Sequence, residues 1–395
     1  MKKLLVLLLA IAICGCKSED AALPSKIENS KIEINTDNIF DEQKSNQDEK
    51  VNSYNEFISR SYPAVFNNMV EFGNFVYSPY SYKMALEGLG KITHYFDGEN
   101  YFGYATHENL EKNLPNLNSE TAIILNKNML DTKSDEFLLA DFPEEAEKLS
   151  QELQKSVLGH VLLGPEYEKY TASVIVNATK FHAKWDEEFN KAFTEKREFK
   201  TLDGKTVEKD TMYGNINIIA IDNEEVSVGR KYLEGGGFVY FVAPKKYDAD
   251  SLQKISEKIP YYIEEFKKFE EEEKGIATYY DAVELFTPKF NISSNIDLLK
   301  VESKAGRRKI KDPFDLVEDI INKTNEKIYV QSILQVANMM IDEKEVKAEA
   351  VTEMKDMATE ARPPEKILTI MCDHPHFVVA TSGKGVISFI AFIGK

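Results

Sequence analysis

The chain has 395 residues, 66 acidic against 49 basic side chains, and a formal charge of −17. So acidic a balance excludes a general nucleic-acid binder, which would carry a basic stripe, and no nucleic-acid partner is expected. Beyond the N-terminus no run of about 18 apolar residues occurs, so no internal membrane span is expected, and a globular region of about 345 residues can bury a large core in one domain or two.

Met1-Lys2-Lys3 is a basic start, and the apolar run from Leu4 to Ile13 is too short to cross a bilayer. It ends in Ile13-Cys14-Gly15-Cys16. A small residue directly before cysteine is what lipoprotein processing needs, so residues 1–15 read as a lipoprotein signal peptide and Cys16 as the lipidated first residue. An ordinary secretion signal with incidental cysteines is the alternative. Two or more acyl chains anchor stably where one does not. The expected location is export to a bacterial envelope, with a lipid anchor at Cys16, and Lys17 resembles an outer-membrane or cell-surface sorting signal. Residues 16–50 are polar and poor in aromatics, a composition that cannot fold and reads as a flexible tether. Processing leaves Cys372 as the only other cysteine, so no disulfide is expected and its apolar context predicts a buried, inert thiol.

The folded domain is expected over 51–395. Phe57, Ile58, Tyr62, Val65, Phe66, Met69, Val70 and Phe72 recur at helical spacing, and Gly73 stops that helix. A short strand from Asn74 to Tyr77 follows, then Ser78 as a cap and Pro79 as the first helical residue. Residues 93–150 carry no clean motif. A helical pattern over Glu145–Val161 precedes the strongest strand pattern in the chain, Ala172–Phe181, which leads into Ala183-Lys184-Trp185. Gly235-Gly236-Gly237 predicts a turn before a buried strand at Phe238–Pro244; with no Lys-Ser/Thr after it, it is not a phosphate cradle. Glu264–Lys274 reads as a solvated helix face. Arg307-Arg308-Lys309 reads as a solvated basic loop, with a polyanion or substrate contact as the alternative.

No HExxH, GxSxG, GxGxxG or CxxC spacing is present, so an enzyme is not expected. His374 and His376 flank Pro375 on one strand face, but two histidines without a carboxylate partner do not make a metal site. Neither metal nor cofactor is expected.

The segment Asn338–Pro364 is the most informative. Met339, Met340 and Ile341 end a strand at the polar turn Asp342-Glu343-Lys344. Beyond it Val346, Ala348, Ala350, Thr352 and Met354 alternate with Glu345, Lys347, Glu349, Val351, Glu353 and Lys355, all charged except Val351, the rhythm of a strand with one buried face. The same stretch is rich in Ala, Glu, Lys and Met, so a helix is the alternative. A segment compatible with an exposed loop and with a buried strand is the pattern of a switch.

Taken in order, Asn74–Leu86, Val174–Trp185, Phe286–Leu299, Ile341–Lys344, Asp373–Phe377 and Phe389–Gly394 resemble the motif series of the serpin family. The resemblance covers about residues 54–395. It implies an α+β fold with a large central β-sheet, additional sheets, about eight to nine helices, and an exposed reactive-centre loop at about 344–364. It further implies a suicide-substrate inhibitor of serine (or cysteine) endopeptidases: a protease cleaves the loop, and the freed arm inserts into the central sheet while the acyl bond is intact. Val346, Ala348, Ala350, Thr352 and Met354 would be the inserting face. Glu345 to Thr359 spans roughly 50 Å when extended, close to the diameter of about 50 Å of a domain this size. The reactive bond is Thr359-Glu360 counted from Glu343, or Glu360-Ala361 counted from Pro363-Pro364. Those residues suit an elastase-, subtilisin- or glutamyl-type protease, met by a monomer. Ser78, Ser81, Asn177 and Gln335 would line the region where the sheet opens. Trp185 would cover the point where the loop enters, or serve simply as core. The hinge departs from the family pattern, with Glu345 where Gly is usual, and Glu345 is expected to face solvent. Gln335 stands where the family often has His. The competing reading is a non-inhibitory serpin-fold binding or structural protein on the cell surface.

Overall fold

The computed structural model describes residues 54–93, 116–162, 166–305, 315–324, 326–329, 333–346, 366–382 and 385–395. All fall within one unit, Asn46–Lys395. The expected signal peptide, Cys16, the tether and the Arg307–Lys309 cluster lie outside the described residues.

Aromatic residues at helical spacing bury the first helix. Residues 54–69 (α1) are helical, and Phe57, Ile58, Tyr62, Val65 and Phe66 on one face are at most 1% exposed. A 3-10 turn, Val70–Phe72, ends at Gly73, whose φ of 86° L side chains rarely adopt. Helix α2 (Pro79–Gly90) starts as its sequence predicts, with Ser78 accepting the Ser81 N–H and Pro79 at the first helical position. Three further helices are α3 (Glu144–Leu158), α4 (Ala249–Glu272) and α5 (Leu298–Lys304). Among the described residues there are five α-helices, short of the eight to nine expected for the whole chain.

Two sheets form the body. The larger is seven-stranded and antiparallel, in the order β1 (Asn74–Tyr77), β20 (Ile387–Ile393), β19 (His376–Thr381), β11 (Phe238–Pro244), β10 (Val226–Tyr232), β9 (Ile219–Asp222) and β12 (Ala277–Tyr279). Phe75, Phe377 and Phe392 of this sheet pack with Phe66 of α1, ring centroids 5.1–6.2 Å apart. A four-stranded sheet runs β18 (Ile367–Met371), β13 (Ala282–Pro288), β8 (Thr206–Asn215), β7 (Glu195–Lys200), with β18 parallel to β13. Helix α4 lays Leu252, Ile255, Ile259, Phe266 and Phe269 on the core, but its acidic end is not all solvated. Glu265 is 6% exposed and accepts the Ile276 N–H at 2.8 Å, capping the turn that leaves the helix.

The remaining strands form two separate pieces. One is β4 (Leu138–Ala140), β2 (Leu117–Asn126) and β5 (Ser173–Phe181); the other is β14 (Phe290–Asp297) with β16 (Leu334–Ile341). Short ladders pair β3 (Leu130–Thr132) with β15 (Ile320–Asn322), and β6 (Ala183–Lys184) with β17 (Glu345–Val346). Helix α3 covers the outer face of β2 and β5, where Val174 and Val176 meet Ile124, Phe142 and Ala146. The three strands β2, β3 and β4 fall in the stretch whose sequence carries no motif. The first half of β2, Asn118-Ser119-Glu120-Thr121, is polar and its hydrophobic period is broken.

Candidate functional site

The site is built where β16 ends. Asp342, Glu343 and Lys344 turn the chain back on itself, the Asp342 N–H donating to the Glu345 carbonyl and the Asp342 carboxylate accepting the Lys344 and Glu345 N–H groups at 2.9 and 3.1 Å. An Asx turn of this kind needs a short acceptor side chain at its first position, which Asp supplies. The next two residues, Glu345 and Val346, pair antiparallel with Lys184 and Ala183. Since β6 follows β5 after a single residue, the chain leaving β16 enters alongside the end of β5.

Neighbouring side chains hold this turn. Trp185 is 1% exposed, and its indole N–H donates to the Asp342 carbonyl at 2.9 Å. Phe189 stands edge-on to it at 5.5 Å and donates its N–H to the Glu343 carbonyl at 2.8 Å. Trp185 thus covers the turn and is core at once. The Glu343 carboxylate, 5% exposed, accepts from the Thr194 hydroxyl at 2.9 Å and from Lys289 at 3.1 Å. Burial pushes its carboxyl up, but the backbone, Thr194 and Lys289 together outweigh that and hold it below its ordinary value. Glu345 is a correction to the sequence reading: it is 5% exposed rather than solvated, with an oxygen 3.7 Å from His182 Nε2. At this point the chain lies between β6 and the end of β16, so both of its edges are flanked, and Glu345 and Val346 are both buried.

Below the turn, among the described residues, β5 and β16 each have one bonded neighbour, β2 and β14. Among the described residues no ladder joins β5 to β16. Gln335 of β16 crosses to the start of α2, where its side-chain amide accepts the Ser78 N–H at 2.9 Å and donates to the Ser78 carbonyl at 2.8 Å. The Ser78 hydroxyl donates to the Ser388 carbonyl, and Ser78 and Gln335 are 1% and 4% exposed. This clamp ties β16 to α2 and β20, and an amide performs it without a titrating group. Ser81 is joined to the clamp through its N–H. Asn177 is not: its amide donates to Ser119, Glu120 and Thr121 of β2, and it accepts from Thr179. The five expected sheet-opening residues therefore form three groups: Ser78, Ser81 and Gln335 together, Asn177 on β5, and Trp185 over the turn.

Of the expected inserting face, Val346 is placed, 3% exposed. Ala348, Ala350, Thr352 and Met354, and the reactive-bond candidates Thr359, Glu360 and Ala361, lie outside the described residues. The chain resumes at Lys366, whose N–H donates to Asp281 at 2.7 Å and whose ammonium lies 4.3 Å from the Tyr280 ring centre. Cys372 is a free thiol, 1% exposed, and burial pushes its pKa far up. The ring nitrogens of His374 face Asp373 and the Pro244 carbonyl, both at 2.7 Å, and His376 Nδ1 faces the His374 carbonyl. Among the described residues no cluster of His, Cys, Asp or Glu is arranged to hold a metal.

A family model described as Serpin (serine protease inhibitor) matches residues 141–395. The chain belongs to the serpin family. It is 27% identical over 186 residues to alaserpin of Manduca sexta, a match covering 46% of this chain and 45% of that protein. It is 23% identical to serpin-Z2B of Triticum aestivum over 62% of this chain and 61% of the relative. The matched stretch thus spans less than two thirds of the curated relatives. The solved structure of Serpin48, a highly specific serpin of the insect Tenebrio molitor, superposes with a TM-score of 0.67 at 21% identity, covering 88% of this chain and 98% of that one. At that identity the likeness shows the fold alone: a serpin α+β fold with a large antiparallel sheet, in a family of protease inhibitors some of whose members are non-inhibitory.

Asn116 and His182, both bonded beside β6, carried no signal in the sequence, because a two-residue strand has no period to detect; the Gly235–Gly237 turn was legible as a turn but not as a neighbour of β6.

Proposed function

We propose that this protein is a suicide-substrate inhibitor of serine or cysteine endopeptidases, trapping the acyl-enzyme by inserting its cleaved loop between β5 and β16. The observation that carries the reading is the exposure of β5. Val174-Ile175-Val176 is the continuous apolar run of a strand flanked on both edges and covered on both faces, yet only Ala178 of the nine residues is buried. The strand is composed for a neighbour beyond β2.

Two ladders supply the register that neighbour would take. Glu345 opposite Lys184 and Val346 opposite Ala183 step back one residue of β5 for each residue of loop. Ala348, Ala350, Thr352 and Met354 then fall opposite Phe181, Thr179, Asn177 and Ile175. The turn pairs Asp342 with Glu345, and continuing it down β16 sets the same four residues beside Met339, Ala337, Gln335 and Ile333. The two continuations agree in face: Ile175 and Phe181 pack toward the main core, and Gln335, Ala337 and Met339 are 3–4% exposed. Thr352 would meet Asn177 on one side and Gln335 on the other, a hydroxyl between two amides. On the opposite face Glu349 would stand beside Lys180. Val346, Ala348, Ala350, Thr352 and Met354 bring no charge to the core face, which is the physical requirement for insertion over that stretch, and Asp356 is the first charged residue to follow them on it.

Cleavage falls at Thr359-Glu360 or Glu360-Ala361, by an elastase-, subtilisin- or glutamyl-type protease. The protein acts as a monomer held at a bacterial envelope through Cys16 and the tether 16–50. The test is incubation with elastase-like, subtilisin-like, glutamyl and papain-like proteases. A denaturant-resistant band at the summed mass supports trapping. Loop nicking with full protease activity supports instead a non-inhibitory serpin on the cell surface, the reading that Glu345 in place of glycine favours.

A further inference from the structure

The strand that receives the hinge is only two residues long, and something outside it must hold it in line. Its outer edge is bonded to residues 232–234 at the start of a turn that runs to Gly237: the Glu234 N–H donates to the Lys184 carbonyl at 2.9 Å, the Asp186 N–H to the Tyr232 carbonyl at 3.1 Å, and Trp185 bridges to Leu233. That segment is poorly suited to hold anything. Gly235, Gly236 and Gly237 have φ of 77°, 96° and 97°, and three consecutive glycines are the least stiff backbone available.

Asn116 supplies what the glycines lack. Its side-chain amide donates to the Glu234 and Gly236 carbonyls, both at 2.9 Å, and its oxygen is 3.4 Å from where a Cβ on Gly235 would stand. Its own carbonyl accepts the His182 N–H at 2.9 Å, one step beyond the Leu117–Phe181 pair that opens the β2–β5 ladder. Asn116 holds this post at a φ of 65°, which Asn tolerates better than other L residues except Asp. The bonds close a circuit: Asn116 to His182, along the chain to Lys184, across to Glu234, and back to the Asn116 amide.

We infer that Asn116 is a positioning residue for the hinge, fixing the outer edge of β6 so that its inner edge meets Glu345 and Val346 in register. The inference rests on reading that pairing as the entry point of the loop. It assigns Asn116 no contact with the loop or with a protease.

The chain has one tryptophan, Trp185, and it sits on the hinge turn, so its fluorescence reads the site directly. Asn116→Gly and Asn116→Asp both keep the positive φ accessible and both remove the amide donor. In each intact variant, acrylamide should quench Trp185 at least about twofold more efficiently than in the parent, while far-ultraviolet dichroism stays that of the parent. Loss of two hydrogen bonds should lower the ratio of trapped to nicked product about tenfold. Should the glycine variant fail to fold, the aspartate variant is read in its place. Trp185 quenching equal to the parent's in the folded variants overturns the inference. A parent protein that traps no protease overturns the inhibitor reading instead, and the quenching comparison still decides the role of Asn116.

Discussion

Strands β19 and β5 are both apolar, and they have opposite fates. Every residue of β19 is buried, and the strand is bonded on both edges, to β11 and β20. Among the described residues β5 is bonded on one edge, to β2, and eight of its nine residues are partly open. The contrast separates two uses of the same residue types. In β19 and β20 the burial of Phe377, Phe389 and Phe392 is already complete and contributes fully to the present fold. In β5 the apolar side chains stop short of full burial, and on the proposed reading a further strand would complete it.

The sharpest way to break this comparison is to forbid that further strand while leaving the core alone. Ala350→Arg would place a guanidinium between Thr179 and Ala337 on the core face, so trapping should fall by at least about a hundredfold and the protein should become a plain substrate. Gel analysis of protease mixtures checks it. Unchanged trapping would mean that the inserting face is misassigned. The reverse experiment strikes the finished core. Phe392→Ala removes a ring packed against Phe66, Phe75 and Phe377, and should cost about 3–5 kcal/mol in denaturant unfolding.

The core also contains a pH-sensitive group. His376 is fully buried, and burial lowers its pKa from 6.5 to about 3. The folded state therefore stays neutral in acid while the unfolded chain takes up a proton, so stability falls as pH drops below 6.5. Between pH 6.5 and 5 the loss should be about 2 kcal/mol, and replacing His376 by Gln should flatten that slope. Glu343 at the hinge gives the smallest effect and a different window. Its folded pKa lies below the ordinary 4.5, so its contribution is complete above 4.5 and is lost as pH falls through the lower folded value. Glu343→Gln should cost about 1–2 kcal/mol at neutral pH, because Lys289 and Thr194 lose a charged acceptor. It should loosen Trp185, seen as a red-shifted emission.

Local patterns made much of the fold legible. The α1 stripe, Gly73, the Ser78-Pro79 junction, β5 and β11 were readable because each is a run long enough to show its period or a residue with a fixed backbone preference. Stretch 116–143 was not, since β2 changes character half-way along and β3 and β4 have three residues each. Within the site, Trp185, Ser78 and Gln335 were readable by resemblance, but their grouping was not. Asn177 bonds back to β2, and the solvent assigned to Glu345 by alternation is replaced by packing against β6 and the end of β16. Alternation predicts which side of a strand a residue takes, not whether anything stands on that side.

By itself the sequence determined the side-chain rhythm beyond Lys344, the apolar run of β5 and the turn chemistry of Asp342, because these depend on residues within a few positions of one another. Only the tertiary structure decided that β5 and β16 stand in separate ladders, that Gln335 clamps Ser78 across 257 positions of sequence, and that Asn116 stands behind the hinge. Those facts depend on which edges and carbonyls meet in space, and no local pattern of residues encodes a meeting.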